Sequence, residues 1–279
     1  MPEEPATSDE LADEESFEDD QAEVDCPEDD APLVRPPKVG VAAALLVISG
    51  ALIPVIAGIA LGFMTAAYGA GGLDGSVVGL ILPNLLLAAF GAYLAVRLYR
   101  GDGFARWAGV GYLLLIAASS AGALAGGRVN PVSFMTVIAL LTVIPLFDPG
   151  VKAWCGRGER PVAIGIAQLT GIVGAHMVLS AASLAATGGG PVVGIQVVVG
   201  VALLCLAFPL YYGIAGIWIF VCALMLVQPL LYLGQGGVPG ATDVLATIGR
   251  LALGAYVVFA LMYATFREQS GDEARTTPD

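Results

Sequence analysis

The chain has 279 residues, of which 57% are hydrophobic and only 13% are charged. Soluble domains carry about 25% charged residues, so the composition excludes an ordinary soluble protein. The net charge of −12 arises from residues 1–30, which hold fifteen of the twenty-four acids and no Lys or Arg. The rest of the chain carries nine acids and twelve bases. The charge therefore indicates neither an acidic substrate nor a nucleic-acid surface.

Residues 1–37 form a predicted acidic, disordered cytoplasmic tail. They contain few aromatic or β-branched residues, so they cannot bury enough apolar surface to offset the entropy of ordering. An acidic start is also the reverse of a signal peptide. Two interpretations of the tail are open: a solvated leader, or an electrostatic segment that covers basic residues of the membrane domain or recruits a basic cytoplasmic partner.

Apolar runs between residues 38 and 267 are long enough to cross a bilayer, which takes about 20 residues of helix. We therefore predict an all-α fold, a polytopic transmembrane helical bundle of about eight helices, with residues 268–279 as a short cytoplasmic tail. The predicted helices span 39–67, 76–96, 107–126, 131–147, 162–187, 192–210, 213–233 and 244–266.

A turn must divide the longest apolar run, residues 192–233. As a single helix this run would measure roughly 63 Å, about twice the bilayer core. The break reads Leu-Tyr-Tyr-Gly at 210–213, and the end of the second predicted helix reads Leu-Tyr-Arg-Gly at 98–101. One interpretation of this match is a duplicated 4+4 body whose halves run in the same direction. The other is coincidence between apolar sequences.

Lys and Arg residues set the predicted orientation. With the N-terminus inside the cell, ten of them lie on the cytoplasmic side, only Arg128 lies outside, and Arg250 falls within a helix. We therefore expect a multi-pass protein of the cell membrane with both termini in the cytoplasm. The ten inner residues are Arg35, Lys38, Arg97, Arg100, Arg106, Lys152, Arg157, Arg160, Arg267 and Arg275.

No catalytic, cofactor or metal motif is present in the sequence. His176 is the only histidine, which excludes bis-histidine haem ligation and a two-histidine zinc site. Neither lysine follows a phosphate-binding loop. The four cysteines are scattered without CxxC spacing, so we predict free thiols, no cofactor and no metal.

Polar residues at membrane depth form the candidate site. Arg250 lies about a turn and a half inside its helix, and four polar residues of other helices fall at or outside the midplane. In one interpretation Arg250 snorkels toward Asp243 at the surface. In the other, five residues line an outward-open pocket for an anionic ligand or a lipid head group. These residues are Arg250, Gln228, Asn84, Gln196 and His176.

Small residues recur four positions apart in three predicted helices, a spacing that lets two helices approach closely. We favour packing within the chain over homodimerisation through the first helix. The residues are Gly58 and Gly62, Gly122 and Gly126, and Ala167, Gly171 and Ala175.

The favoured function is non-catalytic: a ligand-binding or transporter-like bundle, or a membrane subunit of an assembly, surrounded by membrane lipids. The alternative is an intramembrane enzyme that acts on a lipid or polyprenyl substrate through His176 and Arg250. The enzyme ranks second because a metal-dependent phosphotransferase would place several carboxylates at one membrane face, and the predicted helices do not.

Deletion of residues 2–30 is expected to leave insertion and folding intact, because this segment supplies no apolar burial. The measurement is the yield of membrane-inserted protein and its melting temperature in mild detergent. A clearly lower yield or melting temperature would show that the tail has a structural role.

Overall fold

The computed structural model describes residues 35–68, 76–125, 131–156, 162–186, 190–214, 216–235 and 241–276. Every regular element within these ranges is an α-helix. In chain order the helices are α1 (Pro37–Tyr68), α2 (Ser76–Tyr99), α3 (Gly103–Ala125), α4 (Pro131–Leu146), α5 (Pro149–Cys155), α6 (Val162–Ala186), α7 (Gly190–Tyr211), α8 (Ile217–Gln235) and α9 (Ala241–Thr276).

The predicted all-α membrane bundle is confirmed. Eight long helices coincide with the eight predicted segments, and six of them are long and apolar enough to cross a membrane unaided. Helices α4 and α5 meet at 69° and would add a seventh span if counted together, whereas the apolar part of α8 covers only Ile217–Val227. The short α5 was not predicted, and α9 continues beyond its predicted end at residue 266.

Asp148 fixes the corner between α4 and α5. Its Oδ1 accepts the backbone N–H of Gly150 at 2.9 Å and so caps α5, which begins with Pro149. Its Oδ2 lies 2.6 Å from Nζ of Lys38 in the first turn of α1. The hydrogen bond from Lys38, together with the bond from Gly150, lowers the pKa of Asp148. An ionised Asp148 therefore ties α1 to this corner.

Cations and aromatic rings gather at the same end of the bundle. The guanidinium of Arg35 lies 3.3 Å from the centroid of the Tyr99 ring and 5.4 Å from that of Trp154. Nε of Arg97 lies 2.8 Å from a carboxylate oxygen of Asp102, just after α2. We call this the basic end of the bundle, and it comprises Arg35, Lys38, Arg97, Arg100, Arg106 and Lys152.

The two turns with matching sequences, at 98–101 and 210–213, have the same backbone conformation. Gly101 and Gly213 both have positive φ, +85° and +70°. The N–H of each glycine bonds to the carbonyl three residues earlier, at 3.0 and 3.1 Å. The next N–H bonds to the carbonyl five residues earlier, at 3.1 and 3.0 Å. This glycine cap ends both α2 and α7, which align with an offset of 112 residues.

The helix crossings before these turns are also equivalent. A Cβ on Gly50 of α1 would lie 3.3 Å from the carbonyl oxygen of Ala88 in α2. A Cβ on Gly174 of α6 would lie 2.7 Å from the carbonyl oxygen of Gly200 in α7. Residues 88 and 200 differ by the same 112. When Gly50 of α1 is aligned with Gly174 of α6, the offset between these two helices is 124 residues. Six of the seven buried positions of α1 between residues 39 and 57 then align with buried positions of α6.

The halves α1–α4 and α6–α9 have the same pattern of helix contacts, and the 4+4 duplication itself stays a prediction. In each half the first and third helices both pack against the second and fourth. The halves meet through different edges, because α2 and α3 of the first half contact α6, and α3 also contacts α9. A two-fold axis would bring identical edges together. The halves are therefore arranged in tandem, with α3 in the middle and α1–α4 and α7–α8 as outer edges.

The prediction from small residues is confirmed in α6 and wrong in α1. A Cβ on Gly171 would lie 3.5 Å from Cβ of Ala207 in α7, and Ala167 beside it is buried. By contrast, no described atom lies within 4 Å of a Cβ built on Gly58 or Gly62. These two glycines lie on the side of α1 that faces away from its described neighbours. The described side chains do not include Gly122 and Gly126.

Gly174→Ala is expected to lower the melting temperature. The new Cβ would meet backbone atoms, the oxygen of Gly200 at 2.7 Å and the nitrogen of Leu204 at 2.9 Å, which a side-chain rotation cannot relieve. Overpacking of this kind is unfavourable by about 1–3 kcal/mol. The control is Gly40→Ala in α1, where no described atom lies within 4 Å and the higher helix propensity of alanine applies. Equal melting temperatures for the two variants would contradict the close crossing.

Candidate functional site

Helix α6 joins the two halves through one side, which lies against α2 and α3. A Cβ on Gly165 would lie 2.8 Å from the carbonyl oxygen of Phe104 in α3. One turn later the fully buried side chain of Leu169 occupies the space over Gly111 of α3, only 2.2 Å from where a Cβ would be. Glycine therefore permits the close contact at both points. We call this side of α6 the joining face, formed by Gly165, Gln168, Leu169 and His176.

His176 binds α2 from the joining face. Its ring donates a hydrogen bond to the backbone carbonyl of Pro83. Its Nδ1 is buried and has no hydrogen-bond partner among the described atoms, which assigns the bond to Nε2–H. A neutral imidazole in this tautomer has an acceptor lone pair on Nδ1. Such an acceptor can take a hydrogen bond from the hydroxyl of a water or of a ligand.

Arg250 brings a positive charge to the same region. It lies in α9, is half-buried, acts electrostatically on His176, and makes a further interaction within the chain. Its neighbour Gly249 touches α3, since a Cβ there would lie 2.8 Å from Cα of Ala118. Thr247, nearly one turn earlier, is buried. The close approach of α9 to α3 thus fixes the backbone of Arg250 beside the joining face.

The other predicted site residues lie on α2, α7 and α8. Asn84 follows Pro83 and is half-buried, while Gln196 is buried at 7% exposure, and both make interactions within the chain. They also occupy equivalent positions in the two halves, because they differ by the offset of 112. The side chains of Gln228 and Asp243 lie outside the described atoms. The contact between Arg250 and Asp243 therefore stays a prediction.

Pro83, His176 and Arg250 lie at similar distances along their helices from the basic end. Pro83 is sixteen residues from the end of the α2 span, and His176 is fourteen from the start of the α6 span. Arg250 is fourteen residues from the end of the α9 span. At 1.5 Å per residue these separations are roughly 21–24 Å from the basic end, beyond the midpoint of a hydrocarbon core about 30 Å thick.

The Pro83 carbonyl was not predicted as the partner of His176. The N–H that proline lacks would have bonded to the carbonyl of residue 79, so Pro83 gives no signal that its own carbonyl is a hydrogen-bond partner. The described residues contain no group of three or more His, Cys, Asp or Glu side chains that could hold a metal ion.

No family model, no curated protein and no solved structure matches this chain.

Nuclear magnetic resonance of ¹⁵N-histidine-labelled protein is expected to show one neutral imidazole with the proton on Nε2. The single histidine gives one pair of ring nitrogen signals, so no assignment is needed. The control is the His176→Gln variant, which contains no histidine and should show no ring nitrogen signals. A proton on Nδ1, or a doubly protonated ring at neutral pH, would contradict the bond to Pro83.

Proposed function

We propose that this multi-pass membrane protein binds an anionic amphiphile with a hydroxyl-bearing head group, such as a hydroxylated phospholipid, between its two halves. The unpaired Nδ1 of His176 carries the proposal. A ligand hydroxyl would donate to this acceptor and remove the cost of burying it unsatisfied. The nearby charge of Arg250 favours a phosphate or carboxylate on the same ligand.

The location of the site supports a binding or transport role. In transporters built from repeats, substrates bind at the interface between the repeats, at helices that are interrupted within the membrane. Here His176 and Pro83 belong to different halves, although α2 itself runs without a break past Pro83. The similarity is one of architecture, and the chemistry of His176 and Arg250 is what selects the ligand.

We further propose that the basic end faces the cytoplasm of the cell, with both termini inside. The cations gathered at that end support this orientation through the positive-inside rule. The site then belongs to the outer half of the membrane and receives its ligand from the outer leaflet. The acidic N-terminal segment lies on the cytoplasmic side, where its expected partner is basic.

The proposed site predicts that Arg250→Gln and Arg250→Lys both lose a copurifying anionic lipid. Lysine keeps the charge but not the planar set of donors that matches a phosphate, whereas a snorkelling arginine would tolerate the change. The measurement is native mass spectrometry of protein purified from membranes that contain phosphatidylglycerol. We expect wild type to retain this lipid and at least a tenfold lower bound fraction in the variants.

The matched control is Arg100→Gln, which removes an exposed cation from the basic end and should leave retention unchanged. Equal retention by wild type and Arg250→Gln would contradict the proposal. Retention of phosphatidylcholine at the same level as phosphatidylglycerol would contradict selection for an anion.

A further inference from the structure

A second polar pair crosses the contact between α2 and α6, nearer the basic end. Nε2 of Gln168 donates to the hydroxyl of Tyr93 at 3.3 Å, and Oε1 of Gln168 is buried without a hydrogen-bond partner among the described atoms. Each residue is six positions from the basic end of its span, roughly 9 Å along the helix. Tyr93 is 38% exposed and Gln168 is half-buried, so this pair borders on lipid.

Arg97 places a cation beside this pair. It follows Tyr93 by one turn of α2, and its guanidinium carbon lies 5.9 Å from the centroid of the Tyr93 ring and 5.2 Å from that of Phe104. Phe104 in turn lies against α6, at Gly165. The ion pair between Arg97 and Asp102 uses Nε, which is one of the five N–H donors of a guanidinium.

The polar groups lie in order along the contact between α2 and α6. Gln168 and His176 both bond to α2, and His176 lies eight residues, roughly 12 Å, farther from the basic end. An arginine therefore lies near each end of the line, and neutral hydrogen-bonding groups lie between. We call this line the polar seam, which comprises Arg97, Tyr93 with Gln168, His176 with the Pro83 carbonyl, and Arg250.

We propose that the polar seam carries the head group of an anionic phospholipid between the two leaflets while the acyl chains stay in the bilayer. A phosphate crosses hydrocarbon slowly, because a charge there is strongly unfavourable. Arginine at either end can bind the phosphate, and the amide, hydroxyl and imidazole groups between can bond to head-group hydroxyls. The inference rests on the proposed function, since His176 and Arg250 bind the same lipid at the outer end.

Ile172 is the apolar step within the polar seam. It lies one turn from Gln168 and one turn from His176 on α6, and it is half-buried. A head group that leaves the pair formed by Gln168 and Tyr93 must pass this side chain before it reaches His176. Ile172 therefore limits the rate of movement, and a hydroxyl at this position should raise the rate.

The experiment measures movement of fluorescent phosphatidylglycerol across vesicles that contain the full-length protein. Dithionite destroys the fluorophore only in the outer leaflet, so further loss of signal reports movement from the inner leaflet. We expect wild type to speed this movement over protein-free vesicles. Tyr93→Phe and Gln168→Leu should each slow it about tenfold, the effect of one lost hydrogen bond, and Ile172→Thr should speed it.

The matched control is Tyr263→Phe, which removes the same hydroxyl from α9. Tyr263 is 40% exposed, close to the value for Tyr93, and its ring contacts Trp107. This variant should move the lipid at the wild-type rate. Wild-type rates in both Tyr93→Phe and Gln168→Leu would overturn the proposal. Equal movement of phosphatidylcholine would indicate a general disturbance of the bilayer and would overturn it too.

Native mass spectrometry of the same wild-type protein separates this inference from the proposed function. Protein that retains phosphatidylglycerol but does not speed its movement would overturn the transfer between leaflets and leave the binding site intact. Protein that neither retains nor moves this lipid would overturn both.

Discussion

The contact between the joining face of α6 and the α2–α3 edge is the interaction on which the rest of the structure depends. In a bilayer, lipid tails are as apolar as the side chains, so helices associate where their backbones come close enough for dense packing. Gly165 and Gly111 provide that approach between the halves, and Gly174 and Gly200 provide it within the second half. Alanine at these positions would place Cβ atoms inside van der Waals contact.

The same contact explains the position of the polar groups. Packing α6 onto α2 brings His176 to the carbonyl of Pro83, and packing α9 onto α3 brings Arg250 to the same region.

The buried hydroxyl of Tyr112 also has no hydrogen-bond partner among the described atoms. It sits in a slot between Gly50 and Gly91, 2.9 and 2.5 Å from where their Cβ atoms would be. That slot is filled by the hydroxyl itself, so it offers a ligand no room.

The helices were predictable from the sequence because a stretch of about twenty mostly apolar residues is typical of a transmembrane helix. The grouping of Lys and Arg at one end follows from the same pattern. The faces of the helices were not predictable, since the side that meets lipid and the side that meets protein are both apolar. This is why small residues predicted internal packing correctly at Gly171 and wrongly at Gly58 and Gly62.

Of the candidate site, the depth of its residues was accessible from the sequence, and the partner of His176 was not. A backbone carbonyl has no sequence signature, and the bond depends on the tandem arrangement that brings α6 against α2. The short α5 was missed for a related reason. Its start is fixed by Asp148 through a cap and an ion pair to Lys38, which is 110 residues away in the chain.

Coexpression of residues 1–158 and 159–279 as separate chains tests the joining face most directly. If the contact of α6 with α2 and α3 holds the halves together, the two chains should copurify from membranes. Gly165→Leu should abolish copurification by pushing α6 away from α3, and Gly40→Leu, at an open position of α1, should not. Chains that fail to copurify, or that copurify equally well with Gly165→Leu, would contradict the account.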